Sequence, residues 1–370
     1  MRNIQSAFGR NIFKTINWKL LLPAILLSLL GMLSIYSSSL NRGDFLNLKK
    51  QALFLFLSLL IVIFLSAMDL RFLKNNSYLI FTLYCLSLIS LLGLLFLSQA
   101  HRGTKGWYNI GPVSFDPEPF AALALIIVLS KYFASRHIEI HSFKAVIVSG
   151  IYAFLPFLLV LGQPDLGSSL SLVCIWLGML LFSGIKIKHL LVIFLLFAVC
   201  FVLAWNFYFK DYHKQRIMAL LNPHFDEKGI AWSTNQSKIA IGNGGWWGKG
   251  IGRGTQTQYG FLSEPKTDFI FSAIAEEFGF FAVLTLFVLF IILLWQILCV
   301  IKGAQNNFLR LFAFGFAFLL VSQIAVNIGM CLGILPVIGI PLPFVSYSGS
   351  SITAFYLGLA ILMSLQKKSE

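Results

Sequence analysis

From Leu311 to Gln366 the sequence contains no formally charged residue. The hydrocarbon core of a bilayer is ~30 Å thick and a helix crosses it with about 20 apolar residues, so this stretch holds two passes. Shorter uncharged runs recur upstream. There are 22 residues between Lys19 and Arg42, 18 after Lys50, 20 between Lys144 and Asp165, and 20 between Asp165 and Lys186. The run from His189 to Phe209 has 21 and that from Phe278 to Ile301 has 24. Only helices and closed barrels satisfy backbone polar groups in lipid, and these runs are continuous rather than alternating. The fold class is therefore all-α, a polytopic membrane protein. Composition agrees: 11% of residues are charged, against roughly 25% in soluble domains.

Ten helices are expected, near 18–39, 51–68, 77–98, 118–134, 144–162, 168–184, 188–209, 268–300, 309–333 and 350–366. The fourth spans only 12 uncharged residues between Glu118 and Lys131; it must snorkel those ends or be shielded by protein. An even count puts both termini on one side. With the N-terminus inside, short inner segments carry 15 Lys and Arg and short outer loops five, so both termini are expected to be cytoplasmic. The first helix is read as retained, since no small-residue cleavage site closes it. The chain is read as one membrane domain, 1–370, containing a long extracytoplasmic loop, 210–267, before the eighth helix. Loops of that length in a compact protein are usually functional.

The formal charge of +14 is scattered over nearly every connection rather than gathered in a stripe, as membrane orientation requires and nucleic-acid binding does not. The five cysteines lie in apolar stretches with no CxxC, so neither a disulfide framework nor a zinc site is indicated. No ligand cluster of metal-site spacing stands out, and no metal ligand is assigned.

The loop contains a surface helix around 235–241, then a glycine-rich segment, Gly242 to Gly260, whose Trp246 and Trp247 suit the headgroup level. Its glycines do not form a phosphate loop, because the Walker spacing fails at Asn243 and Gly250. Asp268 stands where this loop meets the eighth helix; the plain reading is helix-start chemistry, with Thr267 as cap and an acid in the first turn. Glu276 and Glu277 lie two turns deeper, where a carboxylate points to a cavity or an ion pair. The turn Gln163-Pro164-Asp165-Leu166-Gly167 needs no function, although Asp165 can shape an entrance. Between the last two helices, Gly333 to Ser350 is apolar and contains three prolines. Irregular backbone at membrane depth is tolerated only in protein or along a cavity, so this segment is expected to wall one.

Together these segments resemble the SEDS family (shape, elongation, division and sporulation), and within it the RodA branch. The carrying motifs are Q-P-D-L-G-S-S from Gln163, Q-S-K-I-A-I-G-N-G-G from Gln236, G-K-G-I-G-R-G-T-Q from Gly248, T-D-F-I-F-S-A-I-A-E-E-F-G from Thr267, and N-I-G-M-C-L-G-I-L-P-V-I-G-I-P-L-P-F-V-S-Y-S-G-S-S from Asn327. The similarity runs from about residue 18 to the end. It implies a peptidoglycan glycosyltransferase that polymerises lipid II during elongation and cell-shape maintenance. It also implies a bacterial inner-membrane location, a class B penicillin-binding protein as cross-linking partner, and other elongation-complex membrane proteins nearby; nucleic acid is not a partner. The family's catalytic aspartate matches Asp268. One motif departs: where the family reads F-Q-P-S-E-x-x-K, this chain reads F-D-P-E-P-F-A-A from Phe115 to Ala122. Glu118 is displaced by one position, about 100° of helix, and Ala122 replaces the lysine. Ser348 replaces a usual glycine.

The implied chemistry is attack of a sugar hydroxyl on an anomeric carbon, with Asp268 as base and undecaprenyl pyrophosphate leaving. The leaving group requires cations or a divalent metal ion. Lys50, Lys105, Arg216 and Lys238 are the candidate substrate-binding cations, and Glu118 a candidate substrate contact. Two other readings stay open: a flippase for the same lipid-linked precursor, and a non-catalytic scaffold of the cell-wall synthesis complex.

Overall fold

The computed structural model describes residues 16–41, 43–98, 106–111, 113–135, 143–207, 214 and 230–366. Ten long helices appear at the expected places. They are α1 (Trp18–Ser37), α2 (Leu46–Ala67), α4 (Ser77–Leu97), α5 (Glu118–Ser135), α6 (Phe143–Leu161), α7 (Leu166–Phe182), α8 (Ile187–Phe207), α11 (Ile270–Lys302), α12 (Asn307–Cys331) and α13 (Gly349–Gln366). Among the described residues, nine of these are long and apolar enough to span a membrane; α7, at 17 residues, is the shorter tenth. Short α3 (Phe72–Asn75) joins α2 to α4, while α9 (Ile230–Asn243) and α10 (Thr255–Gln258) belong to the long loop.

Two features were not expected. Strands β1 (Tyr108–Ile110) and β2 (Val113–Phe115) pair antiparallel as a hairpin before α5, with Tyr108 opposite Phe115. The helix α11 is bent at Gly279, whose φ of 76° and ψ of −170° interrupt its helical backbone. A β-carbon at Gly279 would meet the backbone of Trp247 and Gly248, and the Lys249 and Gly250 N–H groups donate to the carbonyls of Glu276 (3.0 Å) and Glu277 (2.9 Å). The glycine-rich segment is thus held against the bend of α11. Trp246 and Trp247 remain 65% and 80% exposed beside Phe280 and Phe281.

Packing explains the short fourth span. Helix α5 is buried along most of its length by α4, α7, α12 and α13, so its polar ends are shielded by protein. Asp116 Oδ1 accepts the Glu118 N–H at 2.9 Å, satisfying one of the orphan donors of a helix start, and Pro119 falls in the first turn where its missing donor costs least. At the far end Lys131 Nζ donates to the Lys74 carbonyl. Helix α13 packs along α2, and α11 along α1 and α12. Most α8 side chains are exposed, as suits a helix bathed in lipid.

The acids in α11 prove to be structural rather than cavity-facing. Glu276 is fully buried and its carboxylate accepts from Thr255 Oγ1 (3.1 Å), Gln256 N (2.8 Å), Thr257 N (3.0 Å) and Thr257 Oγ1 (2.7 Å). An anion at the start of α10 satisfies that turn's free N–H groups. Glu277 accepts from Gln258 Nε2 at 2.6 Å. Neither residue lines the cleft described next, so the cavity or ion pair expected of them is replaced by a clamp on the loop.

Candidate active site

An open cleft of about 680 Å³ lies where the β-hairpin and the first turns of α5, α7 and α13 meet the residues leading into α11. One wall is the proline-bearing segment between α12 and α13, through Val337 to Pro341 and Tyr347 to Ser350. The expectation that this segment walls a cavity is met. Its backbone is anchored by Ser346 Oγ, which accepts from Leu342 N at 2.8 Å. Ser348, in the place of the family's usual glycine, accepts the Ser351 N–H at 3.3 Å and so caps α13.

Asp268 lines this cleft and is half-buried. It lies in a turn two residues before α11; Phe269 occupies the cap position without a side-chain cap bond. The expected helix-start role, with Thr267 as cap, is therefore corrected. Three consecutive carbonyls fix this turn from the far side of the cleft. Tyr347 N donates to Lys266 O (2.8 Å), Ser346 Oγ to Thr267 O (2.7 Å) and Asn327 Nδ2 to Asp268 O (3.0 Å). Asn327 is fully buried and also donates to Ile340 O at 2.8 Å. One side chain thus ties the aspartate to the wall opposite it.

Of the other expected residues, Lys50 and Glu118 line the cleft. Lys238 does not: it is exposed on α9 and packs beside Gly333, because α9 turns its buried face, with Gln236 and Ser237, toward α11 and α12. Lys105 and Arg216 lie outside the described residues. Sequence reasoning assigned no site role to Asp116, Glu264, Trp107 or Gln323, all of which line the cleft. Asp165, weighed as a turn residue, does both jobs. It caps α7 by accepting from Ser168 N (3.0 Å) and Ser168 Oγ (2.8 Å), and it lines the cleft. Gly167 allows this, because a β-carbon there would collide with the Ile338 carbonyl of the facing wall.

The lining is acidic: Asp116, Glu118, Asp165, Glu264 and Asp268 face it, and Lys50 is the one Lys or Arg among the described lining residues. Burial raises the Asp116 carboxyl above its ordinary value, the Glu118 N–H bond pulls it down, and the charge of Asp165 raises it further. Burial likewise raises Asp165 against the bonds from Ser168 and Gly167. Among the described residues no three His, Cys, Asp or Glu side chains are placed to hold a metal ion, so the divalent ion considered from sequence finds no preformed shell of that kind there.

The same fold occurs in solved structures. Thermus thermophilus Rod shape determining protein RodA superposes with a TM-score of 0.70 at 27% identity, over 95% of this chain and 96% of that one. A chain in a structure described as showing coordination of polymerization and crosslinking by a peptidoglycan synthase complex gives 0.80 at 28%, over 95% and 97%. Among curated proteins, Escherichia coli K12 peptidoglycan glycosyltransferase MrdB is 39% identical over 76% of each chain. Stage V sporulation protein E of Bacillus subtilis is 31% identical over 95% of this chain and 96% of its own. The model of the FtsW/RodA/SpoVE family, described as cell cycle protein, matches residues 17–370. With three of the family's motifs lining one cleft and its model spanning all the described residues but one, this chain belongs to the FtsW/RodA/SpoVE family.

Proposed function

We propose that Asp268 is the general base of a lipid II polymerase. The chain is a peptidoglycan glycosyltransferase, as its family membership and its 39%-identical relative indicate. The observation that carries the role of Asp268 is its position: a half-buried carboxylate on the cleft, its backbone gripped by Asn327. Partial desolvation suits a carboxylate to take a proton at neutral pH. In the step that follows, the acceptor sugar's hydroxyl loses its proton to Asp268 as its oxygen bonds the donor's anomeric carbon. The bond from that carbon to the pyrophosphate oxygen breaks, and undecaprenyl pyrophosphate leaves with the electron pair. Lys50, at the start of the second turn of α2 and facing the cleft, is the lining cation able to meet that charge.

The protein is a multi-pass membrane protein of the bacterial inner membrane, with both termini cytoplasmic and the cleft on the outer side, a sidedness supported by the Lys and Arg distribution. Its partner is a class B penicillin-binding protein that cross-links the new strands. Support comes from the similar chain solved within a complex that couples polymerization to crosslinking.

The test is polymerisation of lipid II by purified protein and by Asp268→Asn. The substituted protein is expected to stay folded, with its rate reduced about a hundredfold or more, the worth of a positioned general base. Glycan strands made at more than a few per cent of the normal rate would refute the base. Movement of lipid II across vesicles without polymer would favour the flippase reading, and neither activity the scaffold.

A further inference from the structure

The deep end of the cleft holds two polar groups that the chemistry above does not use. Glu118 is 7% exposed and Gln323 6% exposed, and both line the cleft. Glu118 Oε1 and Gln323 Oε1 are buried without a protein hydrogen-bond partner. Roughly nine in ten buried polar atoms are bonded, so two exceptions in one cavity direct attention to what the cavity receives.

The two residues sit at one depth. Gly315 of α12 packs so closely on α5 that a β-carbon there would lie 2.9 Å from Ile126 Cγ2. From that contact α5 rises eight residues to Glu118, and α12, running the other way, rises eight to Gln323, about 12 Å in each case. Asn327, which holds the Asp268 carbonyl, is four residues above Gln323, about one helical turn. The pair forms a polar floor one turn below the anchor of Asp268.

The chemistry of the floor favours one kind of ligand. A carboxyl group accepts, and a primary amide both accepts and donates. Trp107, 39% exposed, lines the same cleft and presents an apolar ring. Acid, amide and indole around one space suit hydroxyl and acetamido groups carried on a compact ring. They suit a bare ion less well, since no three acidic or His/Cys ligands are placed to hold one among the described residues.

We propose that Glu118 and Gln323 form a carbohydrate-reading subsite, hydrogen-bonding a hydroxyl or acetamido group of one sugar ring and setting its depth relative to Asp268. This rests on the glycosyltransferase reading. Both are binding residues for the sugar, and neither takes part in the proton transfer.

The experiment uses Gln323→Met, which keeps the length and removes the amide, and Glu118→Gln, which keeps the shape. Lipid II polymerisation gives KM and kcat, and the substrate-free protein gives a thermal midpoint. For Gln323→Met, KM is expected to rise about three- to tenfold, the value of one hydrogen bond. Its kcat should change less than twofold, and the midpoint should hold or rise as an unbonded buried amide oxygen is removed. A lowered midpoint with unchanged KM would make Gln323 structural and overturn the subsite. Glu118→Gln is expected to raise KM over a similar range; if added Mg2+ or Mn2+ restores it, the floor holds a cation and the proposal fails. These readouts are separable from Asp268→Asn, whose expected defect is in turnover.

Discussion

Replacing Asn327 tests how the fold aims its carboxylate. Asn327→Ala removes two donated bonds, to Asp268 O and Ile340 O, each with a net value of about 0.5–1.5 kcal/mol. The local loss is therefore about 1–3 kcal/mol, small enough for a bundle of long packed helices to remain folded. The effect on turnover is larger in kind. Of the donors on the carbonyls of residues 266–268, Asn327 Nδ2 (3.0 Å) and the weaker Cys331 Sγ (3.6 Å) reach the aspartate's own carbonyl, and Asn327 alone of the two also holds Ile340 O. A misplacement of about 1 Å can cost a hundredfold, so kcat is expected to fall about ten- to a hundredfold, or about 1.4–2.7 kcal/mol in the barrier. KM should change little, because Lys50 and the cleft floor are untouched. Asn327→Asp, nearly isosteric, turns carboxylate oxygens toward two carbonyls and is expected to do at least as much harm. The assay is steady-state polymerisation of lipid II, corrected for folded fraction by gel filtration. A kcat within twofold of normal in either variant, or a defect confined to KM, would refute the positioning argument.

Two further outcomes are expected. Lys50→Ala should raise KM for lipid II about tenfold or more, the value of a charge-assisted contact. Lys238→Ala, outside the cleft, should stay within twofold; equal defects in the two would detach Lys50 from the leaving group. For Asp116, the folded carboxyl is raised from 3.8 to about 7, so the folded protein keeps a proton that the unfolded chain releases. That contribution to stability is present below about pH 4 and lost as pH rises through about 7. Asp116→Asn retains the acceptor for the Glu118 N–H and removes the titration. Its thermal midpoint should exceed the unsubstituted protein's at pH 8 and converge with it toward pH 4, whereas parallel midpoints across that range would refute the shift.

Much of the architecture was legible in the chain because a bilayer leaves few choices. Uncharged runs of about 20 residues must be helices, and their ends fell within a few residues of the described ones, except that α2 starts earlier, at Leu46. The proline segment before α13 was legible for the same reason, since irregular apolar backbone at that depth needs a protein wall. The hairpin at 108–115 was not. Strands of three residues carry no period, and Tyr108 OH bonding Ser90 O at 2.6 Å is a tertiary contact that the sequence does not announce. Glu276 and Glu277 misled because cost alone identifies a buried acid as significant, without telling a cavity from a row of backbone donors.

The sequence alone determined that the chain is a helical membrane protein and which aspartate to suspect, because hydropathy and motif are properties of the chain read in order. Only the tertiary structure decided which polar residues share a cleft. Lys50, Asp116, Asp165, Glu264 and Gln323 come from five separate segments of the chain, and their meeting depends on how α2, α5, α7, α12 and α13 pack. Helix-to-helix register is set by close contacts such as Gly315 on Ile126. No local pattern encodes such a register, because it depends on the shapes of two surfaces at once.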